Sequence, residues 1–313
     1  MIITIFWILF FIFILGAAGF DLFLHGRNRE LSLKEASVWT LIWISLAVFF
    51  GLLIYLFLGH EQALEYFTAY LLEKSLSLDN LFVFLVIFSF FDLPITGQQK
   101  VLKWGIFSAF ILRAVFIFGG IFLLNKYDFL FYFFGAFLVY TGIKMILRKE
   151  KNINPQKNLF LKYIKKLIPV TDDIEGEKFF IKKPGLGHHV TPLFLALILI
   201  ESSDVLFATD SVPAVLAVTQ NPFIAYTSNA FAILGLRALY FLLANLLPRF
   251  VHLKKGIIII LIFIGFKMIL SEASLIQIPL SFSLIFILVT ISASVLLSFF
   301  KNKKSNNIGI EKR

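Results

Sequence analysis

Two short polar segments interrupt long apolar runs in this 313-residue chain. The first is Glu73-Lys74-Ser75-Leu76-Ser77-Leu78-Asp79-Asn80-Leu81-Phe82, and the second is Glu201-Ser202-Ser203-Asp204-Val205-Leu206-Phe207-Ala208-Thr209-Asp210-Ser211. Both fall where a membrane-spanning helix is expected. A carboxylate at that depth costs several kcal/mol unless it is paired or solvated, so it marks an ion or substrate path. Carboxylates, hydroxyls and the Asn80 amide make an oxygen-only donor set, which suits hard divalent cations such as Mn²⁺, Mg²⁺ or Ca²⁺. The candidate ligands are Glu73, Asp79, Asn80, Glu201, Asp204 and Asp210. His188-His189 lies in a loop and reads as a polar doublet.

Embedded bases set a competing reading. Lys74, Arg113, Lys144, Arg237 and Lys267 match the five embedded acids in number, so the charges could form structural ion pairs. Asp79 with Arg113 and Asp204 with Arg237 are the expected pairs. Lys144 and Lys267 lie near span ends and can snorkel. Glu73, Glu201 and Asp210 are then left without deep partners and free to hold a cation.

The elements that must position these groups are helices. The chain is 59% apolar with 40 Phe and a mean hydropathy of +0.89, which indicates an all-α, polytopic transmembrane bundle forming one membrane domain over 1–313. Nine spans are expected near 2–24, 38–58, 62–91, 101–124, 128–147, 191–218, 222–247, 251–270 and 279–300. Residues 1–20 lack a basic leading region and read as an uncleaved first span. Basic residues alternate between loops. Residues 148–190 carry ten Lys and Arg, and the even-numbered loops together carry only Lys126. That places the N-terminus outside and the C-terminal tail in the cytoplasm. The net charge of +10 thus reflects orientation, not nucleic-acid binding. With no Cys, thiol chemistry and thiolate metal sites are excluded.

The acidic segments belong to an internal repeat. From Asp79 it is 34 residues to Arg113, and from Asp204 it is 33 to Arg237. Gly142-Ile143-Lys144-Met145-Ile146-Leu147 then matches Gly265-Phe266-Lys267-Met268-Ile269-Leu270. Spans 3–5 (62–147) and 6–8 (191–270) read as two copies of a three-helix unit. Three is odd, so the copies enter from opposite sides, the inverted topology of many secondary transporters. Pro213 disfavours helix at Val212, and an unwound turn there would let the carboxylates converge on one cavity.

Between the repeats lies the basic cytoplasmic loop, 148–190. Leu159, Tyr163, Ile164 and Leu167 recur at helical spacing among lysines, which suggests an amphipathic helix on anionic lipid. Phe179-Phe180-Ile181 followed by Pro184-Gly185 suggests a short strand and turn. No Walker A sequence or His-Glu-x-x-His motif occurs, and no enzyme is expected.

The two acidic segments, with Thr191-Pro192-Leu193 and Val212-Pro213-Ala214, resemble the TerC/Alx family of bacterial integral membrane proteins, within the LysE-type transporter superfamily. The similarity extends over roughly 38–300. The resemblance implies export of Mn²⁺ as cargo across the bacterial inner membrane, carried by Glu73, Asp79, Glu201, Asp204 and Asp210, with no other cofactor. It also implies links to tellurite resistance and to metal loading of secreted or membrane partner proteins. The alternative is a non-transporting scaffold in a metal or tellurite stress-resistance complex. An oxyanion transporter using Arg113 and Arg237 fits the clustered acids less well.

Overall fold

The computed structural model describes residues 2–24, 32–127, 129–147, 169–171, 176–183, 187–246, 252–273, 275–276 and 278–310. Ten helices and one hairpin are described: α1 (Ile2–Leu24), α2 (Leu33–Leu58), α3 (His60–Phe90), α4 (Ile95–Lys126), α5 (Phe129–Leu147), β1 (Phe180–Lys183), β2 (Gly187–Val190), α6 (Pro192–Leu216), α7 (Pro222–Ile233), α8 (Leu236–Leu246), α9 (Leu253–Glu272) and α10 (Leu280–Ile310). Each expected span falls on one helix, except the seventh, which is split between α7 and α8. By length and apolarity alone, α2, α4, α5, α6 and α10 can cross a membrane, and α7 with α8 makes a sixth. The charged residues of α3 and α9 lower their hydropathy.

Local chemistry sets the helix ends. Ser32 and Glu35 form a capping box at the start of α2. The Asn221 side chain accepts from the Phe223 N–H, and Pro222 opens α7. The break between α7 and α8 comes at Gly235, with φ +79, where a Cβ would lie 2.7 Å from the Trp43 ring. Only glycine fits both the backbone and the contact. The two helices meet there at 41°.

Four helices form a closed ring at the centre. α3 packs on α7, α7 on α4, α4 on α6, and α6 back on α3. Outside it, aromatic side chains bind α1 and α2 to the ring. Phe50 and Phe231 have ring centroids 4.7 Å apart, and Phe13 and Phe231 5.4 Å. On the far side α5 packs along α9. A Cβ on Gly142 would meet Ile262 and the Ile258 carbonyl, whereas one on Gly265 would meet Val139 and the Gly135 carbonyl. The crossing is therefore antiparallel, and close because glycine removes side-chain bulk.

The β1–β2 hairpin precedes α6, with Ile181 opposite His189 and Lys182 opposite His188. This confirms the short strand at Phe180-Ile181. Thr191 Oγ1 donates to the Lys178 and Phe179 carbonyls, and Lys100 of α4 contacts the Glu177 carbonyl. The hairpin is thus pinned to the ends of α4 and α6. The amphipathic segment expected around 159–167 lies outside the described residues.

Candidate functional site

Both acidic segments are continuous helix, in α3 and α6. The unwound turn expected near Pro213 is not formed. Proline removes one ladder bond close to the end of α6, and packing on α3, α4 and α5 holds the turn. Nearby hydroxyls bond to their own helix. Ser75 donates to the Leu71 carbonyl, Ser203 to that of Leu199, and Thr209 to that of Leu206. These bonds keep polar residues compatible with a buried helix.

An unbroken α6 separates its carboxylates. Six residues rotate the helix by about 600°, so Asp204 and Asp210 leave on faces roughly 120° apart. Asp204 points inward and is 7% exposed. Asp210 faces α5, where Thr141 Oγ1 donates to its Oδ1 at 3.3 Å and the Lys144 charge acts on it. Glu201 faces α4 and accepts from Ser108 Oγ.

Arg113 organises the inward group. It reaches from α4 to an ion pair with Glu73 Oε1 of α3 at 2.5 Å, and it donates to Ser211 Oγ of α6 at 2.7 Å. Glu73 is fully buried and Arg113 is 5% exposed. The Arg113–Glu73 contact lacks the alignment of a hydrogen bond, so both Glu73 oxygens remain without one. Asp204 lies within electrostatic reach of Arg113, Glu201 and Glu73.

These contacts revise part of the pairing expected from sequence, and the expected Asp79–Arg113 pair rests on a side chain outside the described residues. Glu73, thought to lack a partner, holds Arg113. Asp204 takes its charge environment from Arg113 of the other repeat, not from Arg237. Arg237 is buried and engaged in an interaction of its own. Asp79 lies within α3, but its side chain is outside the described residues. Lys144 is exposed, as snorkelling requires, with its Nζ over the Tyr140 ring. Lys267 instead is buried and donates to Ser283 Oγ of α10 at 2.9 Å. A neighbouring hydroxyl removes its need to reach the interface.

Among the described residues, no three His, Asp or Glu side chains lie close enough to hold a metal ion together. A shallow depression on the outer face of α2 is lined by Val38, Leu41, Ile42 and Phe49. Within the ring, Arg113 is the cation that meets Glu73 and acts on Asp204. Asn80 is buried on α3, close to Ser77.

Sequence reading included Ser77 only among the hydroxyls of the first acidic segment, and it missed Asn229. Asn229 is fully buried on α7 and Ser77 is 1% exposed on α3. The Asn229 amide atoms and Ser77 Oγ have no hydrogen-bond partner. Apart from Asn80, the named site residues were singled out by charge, and both of these are neutral.

The chain matches the family described as integral membrane protein TerC over residues 58–306. It is 42% identical over 298 residues to the uncharacterized membrane protein STKORF319 of Myxococcus xanthus, covering 95% of this chain and 92% of that one. It is 44% identical over 282 residues to the Alx protein of Salmonella typhi, covering 87% of each. It is also 44% identical over 276 residues to Alx of Escherichia coli K12, covering 85% and 86%. The Alx proteins are named for a proposed role as membrane-bound redox modulators. No solved structure matches the chain. The chain belongs to the TerC family of integral membrane proteins and is a multi-pass membrane protein.

Proposed function

We propose that this protein is a secondary transporter that exports a divalent metal cation, manganese foremost, from the cytoplasm. The observation that carries the reading is the charge imbalance inside the ring. Among the described residues, the carboxylates of Glu73 and Glu201 both act on that of Asp204, and the cation that meets this group is Arg113, while the Lys74 ammonium is turned to the Ala232 carbonyl. The formal excess of the three carboxylates over Arg113 is two negative charges, and burial makes such an excess costly. One divalent cation neutralises it, and so do two protons, which makes exchange of metal for protons a natural cycle. Oxygen donors without thiolate suit Mn²⁺. The metal is cargo, and the protein needs no resident cofactor and acts as no enzyme.

Packing supports alternating access between two related halves. α3 and α6 carry the matched acidic segments, and they exchange partners: α6 packs on α4 and α3 packs on α7. The α5–α9 crossing is reciprocal. Replacing each residue of the Gly142 contact by its sequence counterpart produces the Gly265 contact. Two inverted repeats with a site at their interface follow this plan. In the apo state, Arg113 acts as the counter-ion that metal displaces.

The redox role in the Alx name transfers only indirectly. A chain without Cys has no thiol with which to act on redox state, whereas moving a redox-active metal alters it. We place the protein in the bacterial inner membrane with its N-terminus outside and its basic loop against anionic lipid. Membrane or secreted proteins that receive metal are its candidate partners.

The test is flux. Proteoliposomes loaded in parallel with Mn²⁺, Mg²⁺, Ca²⁺ and Zn²⁺ are expected to show Mn²⁺ movement. Cells lacking their own manganese exporters should survive high Mn²⁺ with this protein and not with Glu201→Gln. Equal rescue by both, or cellular Mn²⁺ that rises on expression, would favour the scaffold.

A further inference from the structure

We infer that Ser77 and Asn229, with Glu73, form the cation-binding shell on the α3–α7 side of the ring. This rests on the transporter reading and adds two ligands that carry no charge. The first support is what the core leaves unpaired. Among the described residues, Ser77 Oγ, Asn229 Oδ1, Asn229 Nδ2 and Glu73 Oε2 are buried without a hydrogen bond, and Glu73 Oε1 has only its ion pair with Arg113. Leaving such a group unpaired in the core is destabilising. Unmade bonds of that kind are retained where a ligand completes them.

The second support is direction. Tyr66, Tyr70, Glu73 and Ser77 follow the i, i+4, i+7, i+11 pattern and share one face of α3. Tyr66 packs in the aromatic layer, on Phe231 of α7 and Phe50 of α2, and further along Glu73 meets Arg113 of α4, so from Glu73 onwards this face looks into the ring. On α7, Phe231 points to α1 and α2, meeting Phe10, Phe13 and Phe50. Asn229 stands two residues earlier, about 200° around the helix, and so points away from that aromatic layer into the ring.

Depth agrees as well. Thr219 Oγ1 donates to Glu65 at 2.6 Å, and further along Lys74 Nζ donates to the Ala232 carbonyl at 3.1 Å. The two segments therefore run in the same direction, with Lys74 near the level of Ala232. Asn229, one turn before Ala232, falls level with the Tyr70–Glu73 turn of α3, and Ser77 stands one turn beyond Glu73. Lys74 is committed to the Ala232 carbonyl and leaves the Asn229 amide unserved.

The set suits a partly hydrated hard cation. Its charge meets Glu73, the Asn229 carbonyl oxygen and the Ser77 hydroxyl, and a water in its shell accepts from Asn229 Nδ2. α3, α4 and α6 supply the charged groups of the ring, and α7 supplies this neutral wall. A cation bound here is held between the two repeats, since α3 belongs to the first and α7 to the second.

The experiment is Mn²⁺ titration calorimetry and thermal unfolding on the full chain in nanodiscs. The proteins are wild type, Asn229→Leu, Asn229→Asp, Ser77→Ala and Glu73→Gln. Asn229→Leu and Ser77→Ala are each expected to weaken Mn²⁺ binding roughly tenfold or more. Asn229→Asp keeps an oxygen ligand and is expected to bind at least as tightly as wild type. Asn229→Leu removes an unpaired amide, so its melting temperature should match or exceed that of wild type. If Asn229→Leu does not fold, or melts lower, the amide is structural and the inference falls. Unchanged affinity in both Asn229→Leu and Ser77→Ala while Glu73→Gln loses binding also overturns it, and leaves the transporter reading intact. Absence of Mn²⁺ binding by wild type removes both.

Discussion

Arg113 ties α3, α4 and α6 together through Glu73 and Ser211. Removing one member of a buried ion pair leaves the other charge uncompensated. Arg113→Gln is therefore expected to cost about 3–5 kcal/mol of stability. The double variant Glu73→Gln with Arg113→Gln should recover part of that loss, and thermal unfolding of the four-member cycle measures the coupling. Additive losses would mean that the two groups do not depend on each other. Ser211→Ala removes only a neutral acceptor from a charged donor and should cost about 1.5–3 kcal/mol. The sequence showed that Arg113 needs an acid. It did not show which one, since Glu73 and Asp79 differ by nearly two turns of the same helix and both can be drawn opposite a residue of unknown depth.

At the scale of elements, the α5–α9 crossing and the α7–α8 break decide how closely helices meet. A Cβ on Gly265 would lie 2.7 Å from the Gly135 carbonyl oxygen, which is backbone and cannot turn aside. A Cβ on Gly142 would lie 2.5 Å from Ile262 Cγ1, a side chain that can move. Gly265→Ala should therefore destabilise more than Gly142→Ala, by about 1–3 kcal/mol for overpacking against backbone. Melting temperatures of the two variants, compared side by side, check the order. Gly235→Ala adds a Cβ to a residue with φ +79 and drives it into Trp43, so lower folded yield is expected, read by size-exclusion chromatography. The matched Gly-x-Lys-Met-Ile-Leu sequences made these helices recognisable as counterparts. That they touch each other was not legible, because similarity between segments carries no distance. The break at Gly235 was also missed, since glycine is common in membrane helices and no proline marks it.

At the scale of the whole molecule, orientation rests on loop charge. The chain has no Cys, so single-cysteine labelling has no background. A cysteine at Val170 is expected to be protected from an impermeant reagent in intact cells, and one at Lys126 is expected to react. Labelling at 170 from outside reverses the topology. Val170 bridges to Val190 next to the hairpin, so the experiment also places the hairpin and the adjoining start of α6. The contacts of the hairpin with α4 through Lys100 and Phe179 make it a fixed part of that membrane face.

The amino-acid sequence by itself determined the helical class, the near positions of the spans, the acidic segments and their internal match. These follow from local properties: apolar runs as long as a bilayer is thick, charges counted loop by loop, and residue offsets that recur. Only the tertiary structure decided which charges meet. Glu73 found Arg113, Asp204 turned towards the arginine of the other repeat, Asp210 went to Thr141, and Lys267 found Ser283. Each partner comes from another helix, and its rotation and depth depend on how the α3–α7–α4–α6 ring closes. Ser77 and Asn229 show the same limit most clearly. A serine and an asparagine in a membrane helix are ordinary in sequence, and they gain meaning only when packing buries them without a partner.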